Sequence, residues 1–130
     1  MKKNYFENEI AKMWIEDGIL FFEYKPGTFI TLEVARKVVE TRLEVQGTKA
    51  YPVFCDIRGI TSSTKTARDY LANEGSILVK AMSALSLEHV SSGIVDFYIQ
   101  TNKPRVPTKI FTSKYLALKF LEQYRDKTLD

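Results

Sequence analysis

The chain has 130 residues, of which 45% are hydrophobic and 27% charged, and its formal net charge at pH 7 is +3. This length and balance predict one globular domain over residues 1–130, with enough chain to bury a single core. A charge of +3 is too small to predict nucleic-acid binding, and no run approaches the ~20 apolar residues of a membrane span.

The termini and the cysteine content bear on the cellular compartment. Two lysines, Lys2 and Lys3, lie near the N-terminus, but the apolar segment of a secretory signal does not follow them. Cys55 is the only cysteine, which excludes an intrachain disulfide and a cysteine zinc site. We therefore expect a cytoplasmic protein, and nothing in the pattern calls for a cofactor.

The first elements form a predicted β-hairpin. Apolar, β-type runs at Ala11 to Ile15 and Ile19 to Tyr24 flank the pair Asp17-Gly18. Asp-Gly favours this connection because both turn positions need a positive φ. The sequence Pro26-Gly27 then ends the second strand.

A helix follows the hairpin. From Leu32 to Gln46, apolar residues recur at spacings of three and four, which predicts an amphipathic helix. Thr31 is the expected N-cap, and Gly47 follows the last turn.

The central segment predicts a buried strand, a loop and a second helix. Tyr51 to Ile57 is a continuous apolar run ending near Asp56, which is typical of a parallel strand covered on both faces. The loop Arg58 to Ser63 leads to a helix that begins at about Thr64. Ligand and regulatory sites of α/β proteins often lie at such a junction.

The last third continues the alternation. Residues 77–85 fit either a buried strand or a continued helix, and we choose a strand from Val79 because Gly75-Ser76 interrupts the helix. Ser86 is predicted to cap a helix that carries His89. A strand at Val106 to Phe111 and a final helix capped by Ser113 follow. The apolar face of that helix is predicted to consist of Leu116, Ala117, Phe120, Leu121 and Tyr124.

The resulting order is a β-hairpin followed by α, β, α, β, α, β and α elements. It predicts an α/β protein with a mixed sheet of about five strands and four helices. In this order, and in the segments YPVFCDIRG, STKTARDYLANEG, KAMSALS and DFYIQTNKPRVPTKIFTS, the chain resembles STAS domains of the anti-sigma-factor-antagonist type. It also resembles small stand-alone STAS/SEC14-like bacterial proteins.

The resemblance implies a regulatory protein without catalytic residues. In the antagonists, a serine after the acidic end of the third strand is phosphorylated and switches partner binding. Asp56 matches the acid here, but Ile57, Arg58 and Gly59 follow it, with no serine. The nearest hydroxyls are those of Thr61, Ser62, Ser63 and Thr64.

These hydroxyls have two interpretations. They could accept phosphate or bind an anion at the helix N-terminus, flanked by Arg58 and Arg68, or they could simply cap the helix. The capping interpretation is favoured about three to one, because serine and threonine are the commonest caps. Asp56, with a single carboxylate, is expected to bond to the following loop.

We expect a non-enzymatic regulatory or protein-interaction module that contacts its partner through the loop and helix start after Asp56. The candidate residues are Asp56, Arg58, Gly59, Thr61, Ser62, Ser63, Thr64 and Arg68. The alternative is a small-ligand carrier, for a lipid or a nucleotide, with a pocket between the hairpin and the helices. A homodimer is compatible with the density of aromatic residues near the N-terminus.

Overall fold

The computed structural model describes residues 1–87 and 105–126. These residues form a main sheet of six strands, a separate sheet of two strands and three α-helices. The strands are β1 (Lys3–Glu7), β2 (Ala11–Glu16), β3 (Ile19–Tyr24), β4 (Thr28–Ile30), β5 (Tyr51–Asp56), β6 (Ile60–Ser63), β7 (Val79–Leu85) and β8 (Thr108–Phe111). The helices are α1 (Leu32–Gln46), α2 (Lys65–Asn73) and α3 (Lys114–Glu122), with a 3-10 turn at Glu74–Ser76.

The main sheet has the strand order β1-β2-β3-β5-β7-β8. Its first three strands are antiparallel, and β3, β5, β7 and β8 are parallel. The predicted mixed α/β architecture is therefore confirmed. The predicted count of about five strands was wrong: the described residues contain eight, because β1, β4 and β6 lack a strong alternating pattern. Three of the four predicted helices lie in the described residues, and the helix expected after Ser86 lies, beyond Leu87, outside them.

The hairpin and the first helix lie where the sequence predicts them. Asp17 and Gly18 have φ values of 52° and 74°, as the turn requires. The Thr31 hydroxyl accepts a hydrogen bond from the Val34 amide at 3.2 Å and caps α1. The strand at residues 79–85 is also confirmed, and it pairs with β5 on one side and with β8 on the other.

Helices cover both faces of the main sheet. Successive residues of a strand point to opposite faces, so Phe22 packs with the cluster under α1 and α2, whereas Phe21 packs with the cluster under α3. The Trp14 ring stacks on Phe21 with centroids 5.2 Å apart. All six residues of β5, the central parallel strand, are buried.

The final helix differs in one respect from the sequence prediction. Ala117 and Leu121 are fully buried against the sheet, as expected. Leu116, which the pattern placed on the same inner face, is 50% exposed. Helix α3 has only nine residues, of which Ala117 and Leu121 are buried. It therefore buries fewer residues than the width of its apolar face predicts.

Candidate functional site

The carboxyl end of β5 leads into a tight turn that is held by Asp56. The Asp56 carboxylate accepts hydrogen bonds from the Arg58 backbone amide at 3.1 Å, from its Nε at 2.9 Å and from its Nη2 at 2.7 Å. The hydrogen bond to Asp56 raises the pKa of the Arg58 guanidinium above its ordinary value. The expected bonding of Asp56 to the following loop is therefore present, and the contact engages Arg58 as well.

Gly59 lies in the turn because the chain passes very close to β3. A Cβ atom added at Gly59 would lie 2.5 Å from the carbonyl oxygens of Tyr24 and Lys25. Real Cβ atoms do not approach backbone this closely, so only glycine fits. The Gly59 carbonyl in turn accepts a hydrogen bond from the Thr28 amide at 3.0 Å, which brings β4 beside the turn.

The segment expected to be a loop contains a strand. Ile60–Ser63 forms β6, which pairs in parallel with β4, so that Ser62 lies opposite Phe29 and Ser63 opposite Ile30. Ile60 is buried, while Thr61 and Ser62 are exposed. The prediction of a loop was wrong here because a four-residue strand with one apolar side chain carries almost no alternation.

The start of α2 follows β6 directly. The Thr64 hydroxyl accepts a hydrogen bond from the Ala67 amide at 3.1 Å, which confirms Thr64 as an N-cap. Arg68 Nη1 donates to the Ser63 carbonyl at 2.9 Å and to its hydroxyl at 3.3 Å. Arg68 therefore reaches the hydroxyl cluster, whereas Arg58 is held by Asp56 at the turn.

One surface contains four of the eight predicted site residues. We call it the β6 face, and it consists of Phe29, Thr61, Ser62, Ser63 and Arg68. Phe29, which the sequence analysis did not single out, is 51% exposed although it belongs to a strand. The sequence signal for Phe29 was its position. An aromatic residue lies between Pro26-Gly27 and the helix cap at Thr31, where only a short strand can form.

A second feature, absent from the sequence predictions, lies under α1 and α2. Arg42 is a charged residue with an exposed fraction of only 3%. Burial lowers the pKa of its guanidinium to about 10. Arg42 lies four residues after Val38 and seven after Ala35, on the buried face of α1. This spacing was the sequence signal that Arg42 would be buried.

The described residues contain neither a reactive thiol nor a group of metal ligands nor a membrane-spanning helix. Cys55 is buried in β5, as its apolar neighbours indicated. Among residues 1–87 and 105–126, no group of three or more His, Cys, Asp or Glu side chains could hold a metal ion. In the same residues, no helix combines the length and apolar character needed to cross a membrane. His89 lies outside the described residues.

Comparisons with known proteins place the fold. An uncharacterised protein of the DUF3478 family with a SpoIIAA-like fold, from Shewanella loihica PV-4, has a solved structure similar to this chain. The TM-score is 0.54 at 14% sequence identity, and the match covers 89% of this chain and 98% of the other. This likeness supports the STAS-like part of the expected resemblance and not the SEC14-like part.

The sequence comparisons give a family. No functionally curated protein has a sequence that matches this chain. The model of a domain of unknown function, DUF7793, matches residues 13–125, which include every helix and strand described above except β1 and the first two residues of β2. The chain therefore belongs to the DUF7793 domain family.

Proposed function

We propose that this protein is a non-enzymatic STAS-type module that binds a protein partner through the β6 face. The observation that carries the proposal is the exposed Phe29, which pairs opposite the exposed Ser62 and lies on the strand next to the exposed Thr61. Aromatic residues are enriched at the centre of protein interfaces, and the rim around that centre is polar.

The surroundings of the β6 face favour recognition over chemistry. The Asp56 carboxylate, the nearest acid in the chain to β6, is engaged by three donors of Arg58. Since a carboxylate has about four acceptor positions, these three hydrogen bonds leave little room for a donor from a substrate. The turn supports the face instead, since Gly59 brings β4 and β6 side by side.

The β6 face is also held in place before any partner arrives. The Thr64 amide donates to the Ile30 carbonyl at 3.0 Å, and the Thr61 hydroxyl donates to the Thr28 carbonyl at 3.1 Å. These bonds fix β6 against β4 at both ends. A surface ordered in advance loses less conformational entropy on binding.

Site-specific photocrosslinking in the cells of origin tests the proposal. A photoreactive amino acid at Ser62 should give a discrete crosslinked product of defined mass, and the matched control is the same group at Glu40, an exposed position on α1. Adding Phe29→Ala to the Ser62 derivative should abolish the product, because it removes the apolar contact. Equal crosslinking from Ser62 and Glu40, or no effect of Phe29→Ala, would contradict the proposal.

A further inference from the structure

A cavity of about 80 Å³ lies between the main sheet and helices α1 and α2. Its wall is mostly aliphatic and aromatic, with side chains from β3, β5, β7, α1 and α2. The principal apolar lining residues are Phe22, Val39, Val53, Leu71, Met82 and Val106. A space this large exceeds the room that one water molecule needs, so it can admit part of an apolar ligand.

Arg42 places a positive charge in this apolar wall. Its Nη1 donates to the Gln46 side-chain oxygen, and its Nη2 donates to the Gly75 carbonyl at 3.2 Å. Both acceptors are neutral, and within the part of the chain that the structure describes Arg42 has no carboxylate partner. A guanidinium has five N–H donors, and a buried charge without a counter-ion is strongly unfavourable.

The other polar groups of the cavity do not supply the missing negative charge. Tyr24 and Cys55 line the same wall, and burial keeps the Tyr24 phenol neutral. The described lining contains no aspartate or glutamate. A second cation, Arg105, lies in the lining with its side chain exposed and donates to the Asn73 side-chain oxygen at 3.2 Å. The described lining of the cavity is therefore mostly apolar, and its two charged groups are both cations.

We propose that this cavity binds a small carboxylate with an apolar body, such as a medium-chain fatty acid, with its carboxylate on Arg42. A guanidinium pairs with a carboxylate through two parallel hydrogen bonds. One buried cation balances one negative charge, which favours a carboxylate over a phosphate monoester carrying a charge of about −1.5 to −2. The volume of about 80 Å³ is below the about 300–1,000 Å³ of pockets for drug-sized ligands, so the cavity admits part of one alkyl chain and not a whole phospholipid.

This site is independent of the β6 face, because none of its described lining residues belongs to that face. Calorimetric titration of the intact protein with sodium octanoate, octyl phosphate and 1-octanol tests it. Octanoate should bind saturably with one site per chain and more tightly than the other two. No saturable octanoate binding, or tighter binding of octyl phosphate or 1-octanol, would overturn the proposal.

Two variants and one control locate the bound molecule. Arg42→Met should weaken octanoate binding by about tenfold or more, because it removes charge-assisted hydrogen bonds, while binding of 1-octanol stays the same. Ala72→Phe, which fills the cavity and keeps Arg42, should abolish binding of both. Lys37→Met, an exposed change on α1, should have no effect. If Ala72→Phe folds and still binds octanoate as the wild type does, the proposal is wrong, whatever the fate of Arg42→Met.

Discussion

Arg68 joins the first turn of α2 to the end of β6 by donating to both the carbonyl and the hydroxyl of Ser63, at 2.9 and 3.3 Å. The side chain therefore holds a positive charge beside a hydroxyl that directly precedes the N-cap of a helix. Both the guanidinium and the helix dipole favour negative charge at this point. A negatively charged group at position 63 would therefore be stabilised by Arg68 and by the N-terminus of α2.

Ser63→Asp should raise the free energy of unfolding by about 0.5–1 kcal/mol at low salt, for the reasons just given. Urea unfolding at low and high ionic strength measures the change, which salt should reduce. Ser62→Asp is the matched control, since Ser62 is exposed and Arg68 donates its hydrogen bonds to Ser63. The explanation fails if Arg68→Ala leaves the effect of Ser63→Asp unchanged.

Gly59→Ala should lower the free energy of unfolding by about 2–3 kcal/mol, because the new methyl group would overlap two backbone carbonyls of the β3 end. Gly75→Ala is the control, since a Cβ there would meet only Leu71 at 3.7 Å, an ordinary contact. Thermal and urea unfolding compare the two variants. Equal stability of both variants would mean that the backbone of the turn moves to accommodate the methyl group at no cost in the free energy of unfolding.

Asp56→Ala should lower the free energy of unfolding by about 1–3 kcal/mol, because it leaves the Arg58 donors and a tight turn without their acceptor. Lys65→Ala removes a partner of the exposed Lys65–Asp69 pair and should change stability by less than about 0.5 kcal/mol. Denaturant unfolding at fixed pH measures both. A similar small change in the two variants would show that the Asp56 contact contributes no more than an exposed ion pair.

Sequence periodicity predicted the long elements and missed the short ones for a physical reason. Helix α1 has fifteen residues with a cap at each end, so several independent sequence signals predict it. Strand β6 has only four residues, and its pairing with β4 depends on Gly59. The close approach of Gly59 to Tyr24 produces no periodic pattern in the sequence. Local patterns record which face of an element is buried, but not which distant strand will lie beside it.

The candidate sites were predicted to different degrees for a similar reason. The hydroxyl-rich stretch is continuous in sequence, so the contact of Arg68 with Ser63, five residues away, lay within reach of sequence reasoning. The described lining of the cavity around Arg42 combines four strands, two helices, the 3-10 turn and the two residues Arg105 and Val106 before β8. Its buried charge contradicts the usual exposure of arginine, and only the tertiary structure brings it beside Phe22 and Met82.

Ser83→Ala should raise the free energy of unfolding by about 1 kcal/mol. The Ser83 hydroxyl is fully buried in β7 and has no hydrogen-bond partner among the described residues. Its removal therefore removes the free-energy cost of burying a polar group without a hydrogen bond. Ser76→Ala is the comparison, since the Ser76 hydroxyl donates to the Asn73 carbonyl at 2.9 Å and its loss should not stabilise the protein. A loss of stability in Ser83→Ala would indicate that the hydroxyl has a partner.

Tyr24 should make the protein sensitive to alkaline pH. Burial raises the pKa of its phenol well above the ordinary value of 10.0, so the folded state keeps a proton that the unfolded state loses. The resulting stabilisation is fully present below pH 10.0 and is lost as the pH rises from there through the folded-state pKa. Tyr24→Phe has no such proton, and its free energy of unfolding should fall less steeply at alkaline pH.

Urea unfolding at a series of alkaline pH values, up to about pH 11, measures this slope. Tyr115→Phe is the matched control, because it removes the same hydroxyl from a side chain that is 70% exposed in the folded protein. That variant should follow the wild-type slope. An unchanged slope in Tyr24→Phe would mean that water reaches Tyr24 from the cavity beside Arg42 and that the cavity opens in solution.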